Sequence, residues 1–273
     1  MASDNTHFDL AMIATFKNLI SISHQSLEDI KKSFDMPPAI FRKVHAADIC
    51  NFQMNKMCNL LEYIFKSRGV FGTVEDFDSF DLLSGLTDAF IKTVSGYVEI
   101  SAVCYSKLLR PVPMRIDKTK FEFTFLNLLY ICLRSAENHN YKGAKLTLYL
   151  TETKDSLVFH LRDNCHNINP QIVQSTLFGD DSFIPTFDDP VESIMALSLK
   201  AALYSVRELD GTLAYKALKS GNRYDITLPK FSWSSTHIAR SPARYLYTPS
   251  LYEEIFADFF SEITAKSKEE SKL

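Results

Sequence analysis

Apolar positions in the first quarter of the chain recur with a helical rhythm. Between Phe8 and Phe34, residues Ile13, Phe16, Ile20, Leu27, Ile30 and Phe34 fall at steps of three and four, with Ser23 filling the one gap, which predicts a long amphipathic helix. Pro37-Pro38 stops that helix and opens a second, because proline suits the first helical turn but not the interior. The second stripe runs Ile40, Val44, Ala47, Asn51, Met54, Cys58, Leu61 and Phe65, and Gly69 and Gly72 end it. Two such helices joined by a short turn form an antiparallel hairpin whose stripes are too extensive to satisfy each other. A homodimer that completes a four-helix bundle is therefore expected. Asn51 either fixes the register from a buried position or lies at a solvated edge of that bundle.

From Phe77 the rhythm changes. A helix over Phe80–Ser95 leads to strands near Val98–Tyr105 and Val112–Ile116, then a helix from Lys118 to Ala136. Lys145–Thr151 and Ser156–Arg162 read as strands around a tight Glu152–Asp155 turn, and a helix over Val191–Leu209 comes next. Thr212–Ala217 and Tyr224–Leu228 pair across a Ser220-Gly221-Asn222 turn. The mixture predicts an α+β class, with an antiparallel-rich sheet carrying helices on one face. Three units are expected: a helical hairpin over 1–72, an α/β sandwich over 73–230, and a tail over 231–273. In the tail Thr248-Pro249 is a helix start, and Leu251, Ile255, Phe259 and Ile263 share one face that is expected to pack back on the protein's own surface.

Composition narrows the function classes. The 273 residues are 46% hydrophobic and 23% charged, ordinary for a folded chain, and a net charge of -3 gives no pull toward nucleic acid. Five scattered cysteines without C-x-x-C pairs fit reduced thiols, and no metal site is expected. No apolar run reaches the roughly 20 residues of a membrane helix. The expectation is a cytoplasmic protein without membrane insertion.

Several short motifs bear on chemistry. Leu126-Asn127-Leu128-Leu129-Tyr130-Ile131-Cys132-Leu133-Arg134, then Asp163-Asn164-Cys165-His166-Asn167-Ile168, then Ala196-Leu197-Ser198-Leu199 arrive in that order, with Asp210-Gly211-Thr212-Leu213 and Tyr224-Asp225-Ile226-Thr227-Leu228-Pro229 after them. With the hairpin before them, these segments resemble the core of sensor histidine kinases, a dimerisation and phosphotransfer hairpin plus a GHKL-type ATP-binding domain. The family's L-N-L-L-x-N-A-x-K, D-N-G-x-G-I and G-L-G-L are matched with key residues replaced. Ala14-Thr15-Phe16-Lys17-Asn18 resembles the phosphoacceptor motif H-E-x-K-N with its histidine and acid gone.

The resemblance implies specific roles and specific losses. Asp163 matches the carboxylate that reads adenine, Asn127 the first asparagine of the N-box, and Arg134 a phosphate-contacting lysine. Ile131 stands where the magnesium-side asparagine belongs, and an isoleucine offers a hard cation no oxygen. Asn167 is expected to keep a glycine turn in the left-handed region, and Ala196 and Ser198 to let a phosphate loop keep its path. Between Phe178 and Pro190, where the family has its lid, Asp180, Asp181, Asp188 and Asp189 would repel a triphosphate. Ala14 supplies no nucleophile. His24 is the alternative phosphoacceptor, about 15 Å down the helix and rotated roughly 80° from Ala14.

Taken with these losses, the resemblance implies a degenerate, pseudokinase-like protein of two-component signalling that dimerises and binds a response regulator or a partner histidine kinase. The enzymatic alternative is a histidine phosphotransferase or weak kinase working through His24. No cofactor is expected, ATP or ADP stays an open alternative, and magnesium is not expected. Histidine kinases often carry sensor and membrane segments upstream of this core. Their absence here implies input from a partner or a cytosolic ligand.

Overall fold

The computed structural model describes residues 2–33, 36–66, 73–137, 143–180, 184, 186–230 and 249–270, with side chains outside 2–9, 38 and 265–270. Phe34, Gly69, Gly72, Asp181 and Thr248 lie outside the described residues. Helices α1 (Ala2–Ser33) and α2 (Pro38–Lys66) form the hairpin. Ile13, Ile20 and Cys58 are buried between them, whereas Phe16, Leu19, Ile22 and Met54 stay exposed at 50%, 57%, 64% and 45%. Asn51 is buried, and its amide donates to Ser23 Oγ across the hairpin at 3.0 Å.

The remaining elements are β1 (Val74–Asp78), α3 (Ser79–Val94), β2 (Ile100–Ser106), β3 (Pro113–Asp117), α4 (Lys118–Glu137), β4 (Ala144–Glu152), β5 (Ser156–Asp163), α5 (Pro170–Leu177), α6 (Pro190–Glu208), β6 (Thr212–Ala217), β7 (Asn222–Pro229) and α7 (Pro249–Glu270). Capping chemistry sets several starts: the side chains of Asp78, Asp117 and Asp189 accept from backbone N–H groups at the openings of α3, α4 and α6. A five-stranded sheet has the order β2-β4-β5-β7-β6, antiparallel except for the parallel β2–β4 pair. Strands β1 and β3 form a separate antiparallel pair. The strand expected over Val112–Ile116 belongs to that pair, and its partner β1, like the short α5, carried too little periodicity to be read from sequence.

Alternation along the strands puts Leu146, Leu148, Leu157, Phe159, Leu161, Tyr224, Ile226 and Leu228 on one buried face, in one core with α3, α4 and α6. The opposite face carries polar and exposed residues. The turn into β7 is tight: Gly221 has φ +101°, and a β-carbon there would meet Asp163 O at 2.0 Å. No described helix is long and apolar enough to cross a membrane.

Candidate functional site

Two elements converge on the face of α4 that carries Asn127, Tyr130 and Arg134, positions three and four residues apart and so stacked on one side of the helix. Helix α2 covers it with Lys56 and α7 covers it with Ile255, Asp258 and Glu262. Arg134 Nη2 donates to Asp258 Oδ2 at 2.8 Å, Nη1 to Glu262 at 2.7 Å and to Glu137 at 3.2 Å, and Nε to the Tyr130 hydroxyl at 3.0 Å. Tyr130 in turn donates to Asp258 at 2.6 Å. Lys56 donates to the backbone carbonyl of Ile255, stands 3.5 Å from Asp258 Oδ1, and lies 3.0 Å above the Tyr130 ring centroid. Arg134, the position matched to a phosphate-contacting lysine, thus spends its donors on carboxylates of the chain itself.

Burial and charge set the ionisation of this cluster. Burial pulls the Lys56 ammonium down to about 7, with Arg134 pushing the same way and Asp258 opposing. Burial alone would raise Asp258, but Lys56 and Arg134 outweigh it and hold the carboxyl below its ordinary value. Asn127 is fully buried; its amide donates to Phe123 O within α4. It lines a cavity of about 310 Å³ at the junction of the hairpin, α4 and α7, with Lys17, Lys56, Tyr63, Lys120, Leu251 and Ile255 among the walls.

Asp163 closes β5 and is 2% exposed. Its Oδ1 accepts from Cys165 N at 2.8 Å, Asn222 N at 3.1 Å and Asn222 Nδ2 at 3.0 Å, and Oδ2 accepts from Asn222 Nδ2 at 3.1 Å. Burial raises this carboxyl above its ordinary value, while Cys165 N and Asn222 pull it back. Ile131 and Cys132 above it are fully buried. Donors of the chain itself, Asn222 and Cys165 N, thus occupy this carboxylate. Asn222 also donates to His166 O and accepts from Ile168 N and the Tyr215 hydroxyl, so one side chain fixes the whole 163–168 turn.

This clamp corrects one expectation. Among the described non-glycine residues only Asp210 has a positive φ, so Asn167 does not sit in the left-handed region; its amide donates to Leu218 O while Asn222 holds the turn. A second correction concerns Ala196 and Ser198. Both are buried inside α6, which starts at Pro190 behind the Asp189 cap, so they form a helix interior and not a loop. The Ser198 hydroxyl finds no partner among the described residues. Of the acidic lid positions, Asp189 serves as that helix cap, and Asp180 presents its backbone carbonyl to Lys200 Nζ at 3.4 Å.

On the hairpin, Ala14 is exposed and Thr15 returns its hydroxyl to Ala11 O. His24 turns toward α2, where its Nδ1 lies 2.6 Å from Asp48 Oδ1, with the Phe52 ring edge-on beside it. A carboxylate only accepts, so this bond selects the tautomer with hydrogen on Nδ1 and leaves Nε2 with a free lone pair. Glu28 joins His24 and Asp48 as the one grouping of three metal-ligand side chains among the described residues. Lys31 Nζ already occupies its charge, 2.7 Å from Glu28 and 2.6 Å from Asp48.

Sequence reasoning missed Asn222, Lys56, Asp48 and Asp258. Asp258 left a signal, an acid beside Phe259 on the apolar stripe of α7 with Glu254 and Glu262 four residues to either side; Asn222 read only as a turn residue.

With this geometry in hand, the fold is similar to solved histidine kinases. Acinetobacter baumannii histidine kinase AdeS matches with a TM-score of 0.52 and 16% identity, over 78% of this chain and 95% of that one. Histidine kinase ThkA, solved in complex with response regulator protein TrrA, matches with a TM-score of 0.56 and 12% identity, over 81% of this chain and 60% of that one. The matches take in the helical hairpin as well as the catalytic-domain layer, so the chain has the fold of a histidine kinase core. No protein-family model and no curated protein sequence matches the chain.

The Lys56 environment yields a pH dependence of defined sign. A lysine lowered to about 7 when folded and at 10.5 when unfolded binds fewer protons folded, so stability rises with pH across that window. Between pH 7 and 9 the gain is on the order of 1–2 kcal/mol. Denaturant titrations at several pH values check this: Lys56→Met should lack the gain, and an identical pH slope in wild type and variant would refute it.

Proposed function

We propose that this chain is a histidine-kinase-like protein of two-component signalling that does not use ATP and acts by dimerising and binding a response regulator or an active kinase. The observation behind it is the covered face of α4. The position matched to a phosphate-contacting lysine, Arg134, is ion-paired with α7, and the position matched to the adenine reader, Asp163, accepts from Asn222 and from Cys165 N. ATP would have to displace a docked helix and break a buried charge cluster, and it would meet isoleucine where magnesium needs oxygen.

Dimerisation is supported by the stripe of Phe16, Leu19 and Met54, which with Ile20, Met57 and Leu61 walls an apolar groove of about 390 Å³ on the hairpin. A second copy would cover this stripe with the same residues, as a two-fold interface requires. The response-regulator partner is supported by the fold shared with ThkA, whose structure holds the regulator TrrA.

The arrangement of His24 favours a second reading, phosphotransfer without ATP. Nε2 would attack the phosphorus of a regulator's aspartyl phosphate; the N–P bond forms, the P–O bond breaks, and the aspartate carboxylate leaves. No proton need leave His24, because Nδ1 carries it and Asp48 stabilises the resulting imidazolium.

Three measurements test these readings. Calorimetric titration with ATP and ADP, with and without magnesium, should give no heat of binding, whereas binding that Asp163→Asn abolishes would overturn the ATP-independent reading. Light scattering should return twice the chain mass, falling to a monomer for Leu19→Glu with Met54→Glu; a monomeric wild type removes the dimer. In the phosphotransfer reading a phosphorylated regulator loses label to the wild type and not to His24→Ala, and Asp48→Asn slows transfer about 10²-fold or more. Undiminished transfer to His24→Ala excludes His24, and no transfer to the wild type leaves the binding role.

A further inference from the structure

The outer face of the sheet carries a charge pattern that neither reading uses. Strand register places Thr147, Arg162, Arg223 and Lys216 on one line across β4, β5, β7 and β6. Tyr105, Tyr149, His160, Asp225 and Ala214 form a parallel line two residues away along the strands. Arg162 and Lys216 are exposed and Arg223 is half-buried. Asp225 is the one acid in these lines, and it is bracketed by Arg223 Nε at 2.8 Å and by His160 Nδ1. Arg162 and Lys216 have no ion-pair partner among the described residues.

Three cations therefore stand side by side on neighbouring strands, about 4.8 Å apart; Asp225 offsets the central Arg223, and Arg162 and Lys216 on either side of it are left without a counter-charge among the described residues. The chain as a whole is net -3, so composition does not explain a cationic line. The second line is aromatic. The Tyr105 and Tyr149 rings stack 5.2 Å apart at 6°, and Tyr149 and His160 stack at 4.2 Å and 23°. Lys107 lies 5.0 Å from the Tyr149 ring centroid.

We propose that this face docks an acidic amphipathic helix of a partner protein, laid across the strands. Carboxylates three or four residues apart on a helix stand about 5–6 Å from each other, close to the strand spacing. A helix about 10 Å wide facing the cationic line also reaches the aromatic line, roughly 6–7 Å away, with an apolar flank. Within α7, Asp258 and Glu262 accept from Arg134 of α4 and Glu254 accepts from Asn59 of α2, and residues 231–248 contain Arg240 and Arg244 but no acid, which favours a partner's helix as the occupant. Single-stranded nucleic acid fits the face less well, because its bases need open ring faces and these rings are stacked on one another.

The test uses the full chain and a synthetic alanine-based helical peptide with glutamates along one stripe and leucines beside them, titrated by NMR. Amide shifts are expected on β4, β5, β7 and β6, weakening as salt is raised. Arg162→Glu combined with Lys216→Glu alters only exposed side chains and should lower affinity by ~10-fold or more, with an unchanged circular dichroism spectrum. Shifts centred on another surface, no binding at millimolar peptide, affinity unaffected by the double substitution, or tighter binding of a short oligothymidylate would each overturn the proposal.

Discussion

The constraint on which the rest of this structure depends is the burial of Asp258 between Lys56 and Arg134. A carboxylate cannot be taken from water alone without a penalty of several kcal/mol, and each of the two cations faces the same difficulty. Placed together, with the Tyr130 hydroxyl donating to Asp258 and the Ile255 carbonyl accepting from Lys56, the three become tolerable, although Asp258 Oδ1 meets Lys56 only at ion-pair distance, 3.5 Å. Because they come from α7, α2 and α4, the arrangement is available only when all three helices are in place. Apolar contact supplies most of the attraction, through Tyr252, Phe256 and Phe259, each fully buried. Charge supplies the register.

A similar economy governs the turn after β5. Asp163 is a buried acid, and Asn222 answers it from the start of β7 while also fastening the turn that comes after. Gly221 permits this because any β-carbon there would collide with the Asp163 carbonyl. Asp163 and Arg134 are thus both engaged in bonds within the chain, and Ile131, Cys132, Ala196 and Ser198 lie in the core.

Other groups stand at the surfaces. The hairpin presents an apolar stripe and a histidine whose tautomer is set by a neighbouring acid, while the sheet presents cations and rings.

Long-range periodicity made the hairpin legible from sequence, since a stripe maintained for eight turns has one solution. The strands around Leu146–Leu150, Leu157–Leu161 and Tyr224–Leu228 were legible for the same reason, and the short β1 was not. The sequence by itself also determined what two side chains cannot do: Ala14 cannot be a nucleophile and Ile131 cannot ligate magnesium wherever the chain places them. It could not determine what becomes of the polar residues that remain. Arg134, Asp163 and His24 take their meaning from Asp258, Asn222 and Asp48, which are 124, 59 and 24 residues away along the chain. Hydrogen bonds and ion pairs act over about 3 Å, and only the tertiary structure decides which groups are brought within that distance.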